Sequence, residues 1–361
     1  MRKRLIVPIV ASLLIVLLPH GSATAAPGIT AHPVVGNLDT PVAFTFGPGK
    51  TLWYVEKNTG EIRVHDLDTG SDHTFFTVSG VNGDGERGML GIALHPRYPS
   101  KPFVYVYVTR DANGSLRNQI IRLRDTNGSG GDMKVIFNSP ASSSPYHNGG
   151  RILFGPDGML YAIVGEGHDP SNSQDLTNND RGKILRMTPN GGVPATNPRS
   201  GSRMWAFGIR NSFGFAFDPA THRLWESENG PECNDEVNLI LKGRNYGWGP
   251  HETCSGSSPG NTNQDGPRPV RPKLFYANPI GVTGLAFCER CGLGGASDGR
   301  AFFGAVNTGD LTRVTFTGNR RGISGDQVVY SHGSGVLSLE VGPGGSIFFS
   351  DFGGIFELVK R

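Results

Sequence analysis

The chain has 361 residues, 53 of them Gly and 25 Pro, with charged residues at 18% and a formal net charge of +3. That composition describes short strands joined by many turns rather than long solvent-facing helices, and closed β architectures of this length often form one unit. Arg2, Lys3 and Arg4 carry three of the positive charges, so the rest of the chain is formally neutral and no basic stripe points to a nucleic-acid partner.

In chain order, residues 1–25 have the parts of a secretory signal: the basic Arg2-Lys3-Arg4, an apolar run from Leu5 to Leu18, and Ala23-Thr24-Ala25 as a small-residue cleavage site. A secreted, extracytoplasmic protein is expected, with residues 26–361 as its single domain. The apolar run is shorter than the roughly 20 residues of a spanning helix, and no later segment approaches that length. No integral membrane segment is expected after signal cleavage.

A motif then recurs six times. Phe44-Thr45-Phe46-Gly47-Pro48 precedes Leu52-Trp53-Tyr54, and related pairs follow at Ile92–Pro96 with Phe103–Tyr105 and at Leu153–Pro156 with Leu160-Tyr161. The remaining copies are Phe215–Pro219 with Leu224-Trp225, Gly284–Phe287 with Ala301–Phe303, and Leu339–Pro343 with Ile347–Phe349. Each is an apolar strand, a turn and an aromatic-ended strand, a unit that cannot bury its faces alone. Six copies about 50 to 70 residues apart predict an all-β, six-bladed β-propeller with four antiparallel strands per blade. A β-sandwich of ordinary hairpins is the alternative.

Between the repeats lie the segments that carry chemistry. Asn82–Glu86 and Asp125–Gly130 are acidic and glycine-rich, but the second has Ile136 where a calcium loop of the EF-hand type needs a bidentate Glu, and it reads as a turn. His147-Asn148-Gly149-Gly150 presents an imidazole with little bulk beside it, ahead of a strand-turn-strand over Ile152–Phe154 and Met159–Val164. The ring is either a general base or a histidine bonded to a loop carbonyl. Arg210-Asn211, Glu228–Pro231 and Asp235–Ile240 follow. Propeller loops converge at one end of the channel, so His147, Arg210, Asn211 and Asp235 are expected in one mouth. Cys233, Cys254, Cys288 and Cys291 allow three disulfide pairings, of which Cys233–Cys254 and Cys288–Cys291 is expected. A four-cysteine zinc site is the rival, without the second Cys-x-x-Cys such sites show.

Glu86–Ala93, His147–Gly158, Gln174–Leu176, Arg181–Arg186, Arg210-Asn211, Glu228–Pro231 and Asp235–Ile240 together resemble the soluble glucose/sorbosone dehydrogenases over most of the chain. The resemblance implies a six-bladed propeller that binds pyrroloquinoline quinone (PQQ) and Ca²⁺ in its mouth and oxidises a sugar or related alcohol, passing electrons to an acceptor the sequence does not identify. It implies His147 as the base and Arg210 as the group stabilising the reduced quinone oxygen, with Asn211 contacting the cofactor beside it. It also implies that the carbonyls of Gly230 and Pro231 ligate calcium, and that Asp235 orients the imidazole. Glu166 falls where the family has aspartate, and Glu86 replaces a glutamine near the sugar. The family's lysine and Arg-x-Arg pair, which grip the PQQ carboxylates, align with Asn307, Gly335 and Leu337, so three charge-assisted contacts of about 1.5 to 3 kcal/mol each are lost. Arg151, Arg313 and His332 are the candidate substitutes. Hedgehog-interacting-protein-like proteins resemble the chain too, which makes a non-catalytic propeller binding a glycan, small molecule or protein the alternative. A propeller hydrolase fits less well, because no Ser or Cys nucleophile motif accompanies the histidine.

Overall fold

A computed structural model describes residues 28–251, 254 and 263–361. The expected secretory leader and residues 252, 253 and 255–262 lie outside the described residues. The β-strands form six separate sheets, each of four antiparallel strands, arranged as the six blades of a propeller.

The repeat read from the sequence is the inner half of each blade. Its first part forms the inner strands Ala43–Gly47, Met89–Leu94, Ile152–Phe154, Ser212–Phe217, Val282–Phe287 and Ser338–Val341, which neighbour one another around the channel. Its second part forms the strands paired to them, such as Thr51–Val55 and Leu160–Val164. The turn between the two explains the recurring Gly. In three copies the residue after Pro or Pro-Asp is a left-handed Gly, at φ +69° for Gly49, +73° for Gly158 and +71° for Gly344, where a side chain would be strained.

Strands in the middle of a blade are covered by blades on both sides. They are therefore buried along their whole length instead of alternating, as in Leu160–Val164, Lys183–Met187 and Ala301–Ala305. The cores lie between neighbouring blades: Trp53, Val55 and Ile62 pack with Met89, Ile92 and Val104, and Leu90 and Tyr105 pack with Ile152 and Leu160. The last blade closes the ring. Ser338–Val341, Ile347–Ser350 and Gly354–Lys360 supply three strands, and Ile29–Gly36 from the other end of the chain supplies the fourth, from Ile29 opposite Lys360 to Gly36 opposite Gly354. Closure leaves no blade unpaired. All four cysteines are oxidised in the expected pairs, Cys233–Cys254 and Cys288–Cys291, which leaves no thiolate for zinc.

Candidate active site

The segment before the inner strand Ile152–Phe154 is built without side-chain room. A Cβ on Gly149 would lie 2.6 Å from the Ile163 carbonyl oxygen, and one on Gly165 would lie 2.3 Å from the His147 carbonyl oxygen. Gly150 N donates to the Ile163 carbonyl and Gly167 N to that of His147, both at 2.9 Å. The two glycine-containing segments therefore lie against each other, and His147, itself left-handed at φ 58°, is fixed by backbone contacts.

Its ring is fixed by Glu166. Nδ1 lies 2.6 Å from Glu166 Oε1, and the other carboxylate oxygen accepts from Asp169 N at 2.8 Å. Glu166 is only 1% exposed. Nε2 makes no hydrogen bond within the described residues and is not sealed from solvent. The ring of His168 stands edge-on to that of His147 at 5.1 Å, and the exposed Tyr146 ring stands edge-on to His168.

Glu86 ties this loop to the next blade. Its Oε2 accepts from His147 N at 2.7 Å and from Asn211 Nδ2 at 2.9 Å. The Arg210 carbonyl accepts from Glu166 N at 2.9 Å, its amide donates to Glu228, and its guanidinium donates to the Asn229 carbonyl at 3.1 Å while lying 5.2 Å from the Trp248 ring centre. Burial lowers the guanidinium's affinity for its proton, with the Glu166, Glu228, Glu86 and Asp235 carboxylates opposing. Arg210 Nε and Asn211 Oδ1 are buried without a partner.

Asp235 has a different task from the expected one. Its Oδ1 accepts from Gly230 N at 2.9 Å and its Oδ2 from Ile280, Gly281 and Val282 N at 2.8, 2.7 and 3.3 Å. Both oxygens are engaged by backbone amides, so the carboxylate clamps the 230–235 loop to the next blade, and the acid beside the imidazole is Glu166. Burial nonetheless raises the Asp235 carboxyl above its ordinary range. The same loop is compact at Gly230, where a Cβ would meet the Cys233 carbonyl oxygen at 1.8 Å. Among the described residues, no group of three or more His, Cys, Asp or Glu is placed to hold a metal ion.

Behind Arg210 lies a group that sequence reasoning missed. Glu226 and Glu228 face Asn238 and Glu236 across the paired strands Leu224–Glu228 and Asp235–Ile240, and all four are buried. Burial is the first cause of raised carboxyl pKa values throughout, to about 7 for Glu236 and about 8 for Glu226, with Glu228 also driven up by its two neighbours. The signal was present as Glu226 and Glu228, two residues apart on one apolar strand, with Glu236 on the adjacent one, positions that ordinarily hold Val or Leu.

A cavity of about 340 Å³ opens in the mouth, bounded by residues of every blade from Val42 to Phe352. Lys57, Glu86 and Arg151 are its charged walls. Leu90, Phe213, Val306, Leu337 and Phe352 make the rest largely apolar. Of the three candidate substitutes for the missing cations, Arg151 alone borders this cavity. It crosses the channel to donate to the Phe213 carbonyl at 2.7 Å and the Leu337 carbonyl at 3.0 Å. Arg313 bonds Gln327 and Ser297, and His332 pairs with Asp351 between Phe349 and Phe356.

These features define a class: six-bladed propellers whose mouth presents a carboxylate-held histidine beside a buried Arg-Asn pair. The family model for glucose/sorbosone dehydrogenase matches residues 38–354, and the chain belongs to that family. It is 27% identical to the aldose sugar dehydrogenase of Escherichia coli K12 over 93% of this chain and 94% of that one. It is 33% identical to quinoprotein glucose dehydrogenase B of Acinetobacter calcoaceticus over 60% of this chain, an alignment that spans 51% of that protein. The crystal structure of a Thermus thermophilus protein assigned as an oxidoreductase of the glucose dehydrogenase type superposes with a TM-score of 0.80 at 33% identity, covering 92% of this chain and 100% of the other. The PQQ-bound aldose sugar dehydrogenase of Streptomyces coelicolor superposes with a TM-score of 0.77 at 29% identity, covering 93% and 99%. Human hedgehog-interacting protein is 33% identical over 46% of this chain and 27% of its own length.

Proposed function

We propose that the protein is an exported oxidoreductase that oxidises a sugar or related alcohol, with His147 as the general base. One observation carries the reading: Nδ1 of His147 is taken by Glu166 while Nε2 stays unbonded within the described residues, two residues before Gly149, which borders the mouth cavity. A carboxylate on the far nitrogen fixes the tautomer and the ring orientation, so Nε2 is the atom that receives the proton of a substrate hydroxyl. His168 stands edge-on to the ring with Tyr146 beyond it, and Glu86 borders the cavity. Two disulfides behind a secretory leader support export.

The residues fit one end of PQQ and not the other. Arg210 Nε and Asn211 Oδ1 are buried polar atoms without partners, suited to a quinone edge, and the Gly230 and Pro231 carbonyls are the hard oxygen donors that would hold Ca²⁺. A bound quinone would supply the hydride acceptor. The wall formed by Leu337, Val306 and Phe352 offers its carboxylates no polar side chain, and the cations that border the same cavity are Arg151 and Lys57. That wall is also what favours the second reading, a non-catalytic binding propeller, for which the likeness to hedgehog-interacting protein is the support.

The test is turnover. With Ca²⁺, a quinone and an aldose, the purified protein is expected to reduce a dye, and His147→Ala to lower kcat by about 10² to 10⁴ while leaving cofactor uptake largely unchanged. Equal turnover by wild type and His147→Ala would remove the base, and dye reduction by neither, with the quinone bound, would favour the binding propeller.

A further inference from the structure

The channel has a second end. The mouth cavity is bounded where the inner strands begin, at Val42, Leu90, Phe213 and Leu337, whereas two further cavities, of about 370 and 330 Å³, are bounded where the same strands finish, near Pro48, Pro96 and Pro219. Glu340 lines both of them. The repeat gives this residue its context. Thr45, Ala93, Leu153, Ala216, Ala286 and Glu340 occupy one step of the six inner strands, each opposite an aromatic residue of the second strand, from Trp53 opposite Thr45 to Phe348 opposite Glu340. All six line these cavities. Packing at this step is met by Ala, Thr or Leu in five blades, so the carboxylate of the sixth is not there to fill space.

Nor does it serve a partner within the fold. Among the described residues neither oxygen of Glu340 makes a hydrogen bond or an ion pair, and neither is sealed from solvent. The Arg151 charge acts on it through space, but that guanidinium donates to the Phe213 and Leu337 carbonyls instead. Burial raises the Glu340 carboxyl to about 7 against that charge. On the side of the smaller cavity its surroundings are Phe154, Phe217, Phe287 and Val341, and the exposed Glu289 adds a second negative charge. No Lys, Arg or His among the described residues lines that cavity.

We infer that this end of the channel binds an organic ammonium ion with an apolar body, its nitrogen donating to Glu340 and its body lying against Phe154, Phe217 and Phe287. An ammonium supplies the donors that the carboxylate lacks, the phenylalanine faces attract a cation, and the apolar body leaves water. A bare metal ion fits less well, since a hard cation needs about six oxygen ligands and no acid cluster of that kind stands among the described residues. An anion would meet two carboxylates. Because Arg151 crosses the channel between the two ends, the site is separate from the mouth, and the inference does not rest on what the mouth oxidises.

Isothermal titration calorimetry on the purified protein tests it, with 2-phenylethylammonium as the probe and 2-phenylethanol as its neutral isostere. The expected result is one ammonium per chain, with the alcohol bound at least about tenfold more weakly. Glu340→Gln should weaken the ammonium by about tenfold or more. Val341→Lys, a change at a position 41% exposed, should weaken it as much by presenting a cation from the chain itself, with the melting temperature unaltered. That variant keeps the test open should Glu340→Gln not fold. Glu86→Gln, which removes the carboxylate bordering the mouth cavity, should leave the affinity within about twofold. Ammonium and alcohol bound alike, no ammonium bound at about 1 mM, indifference to both Glu340→Gln and Val341→Lys, or loss of binding in Glu86→Gln would each overturn the inference. The oxidoreductase reading is judged separately, by dye reduction and its loss in His147→Ala.

Discussion

At the scale of single residues the site depends on one pair. Glu166 reaches the imidazole from the segment that also supplies Gly165, and its second oxygen is held by Asp169 N, so the carboxylate cannot turn away. Glu166→Gln keeps the shape and removes the charge that stabilises the imidazolium. In steady-state kinetics kcat is expected to fall by about 10² to 10⁴ while KM stays within about twofold, because the carboxylate acts through His147 and does not touch substrate. A rise in KM with kcat preserved would mean that Glu166 serves binding instead. Asp235 shows why this pair was only half legible. Sequence places two acids, Glu166 and Asp235, in loops that converge on the mouth, but which of them turns to the ring depends on amide donors at residues 280–282, some 45 positions further along. Backbone donors leave no mark in a sequence. Glu166 needed only its place after an apolar strand, and the His-Asn-Gly-Gly run needed only the bulk it lacks.

At the scale of paired strands the decisive feature is the acid cluster of Leu224–Glu228 and Asp235–Ile240. Each carboxyl there binds its proton more tightly folded than unfolded, with Glu236 at about 7 and Glu226 at about 8 against an ordinary value of 4.5. A raised folded pKa contributes stability that is whole below the unfolded value and is lost as pH rises through the folded one. The fold is therefore expected to melt at a lower temperature at pH 8.5 than at pH 6. Glu226→Gln should flatten that slope and raise the melting temperature at pH 8.5 by about 2 to 4 °C. Differential scanning calorimetry at the two pH values decides it, and a wild-type profile that rises with pH would show that the cluster is ionised and compensated. The strands themselves were readable from Leu224-Trp225 and Val237–Ile240, but Glu226 and Glu228 broke the apolar run they sit in.

At the scale of the molecule, stability rests on ring closure. All six blades carry the repeat in their inner strands, and five of them are contiguous in sequence. The sixth borrows its outermost strand, Ile29–Gly36, which like the other outermost strands has no copy of the motif, and its partner, Gly354–Lys360, lies more than 300 residues further along. Ile29 enters a core with Leu339, Ile347 and Leu358, and Arg361 N donates to the Gly28 carbonyl at 2.7 Å, so residues 28–36 and 354–361 are joined by hydrogen bonds along their length. Deleting residues 28–36 would leave Gly354–Lys360 as an unpaired edge and open that core. The truncated chain is expected to melt at least about 10 °C lower and to elute as higher oligomers on size exclusion, through edge pairing between copies. A permuted chain separates loss of the strand from loss of its position. Joining Arg361 to Gly28 and opening the hairpin between Asn127 and Gly128, at the tip of the strands Leu116–Thr126 and Ser129–Pro140, keeps every blade complete. That permutant should elute like the parent and melt close to it, because the closing strand is still present. A truncated chain as stable as the parent, or a permutant as unstable as the truncation, would show that the sixth blade does not hold the ring shut.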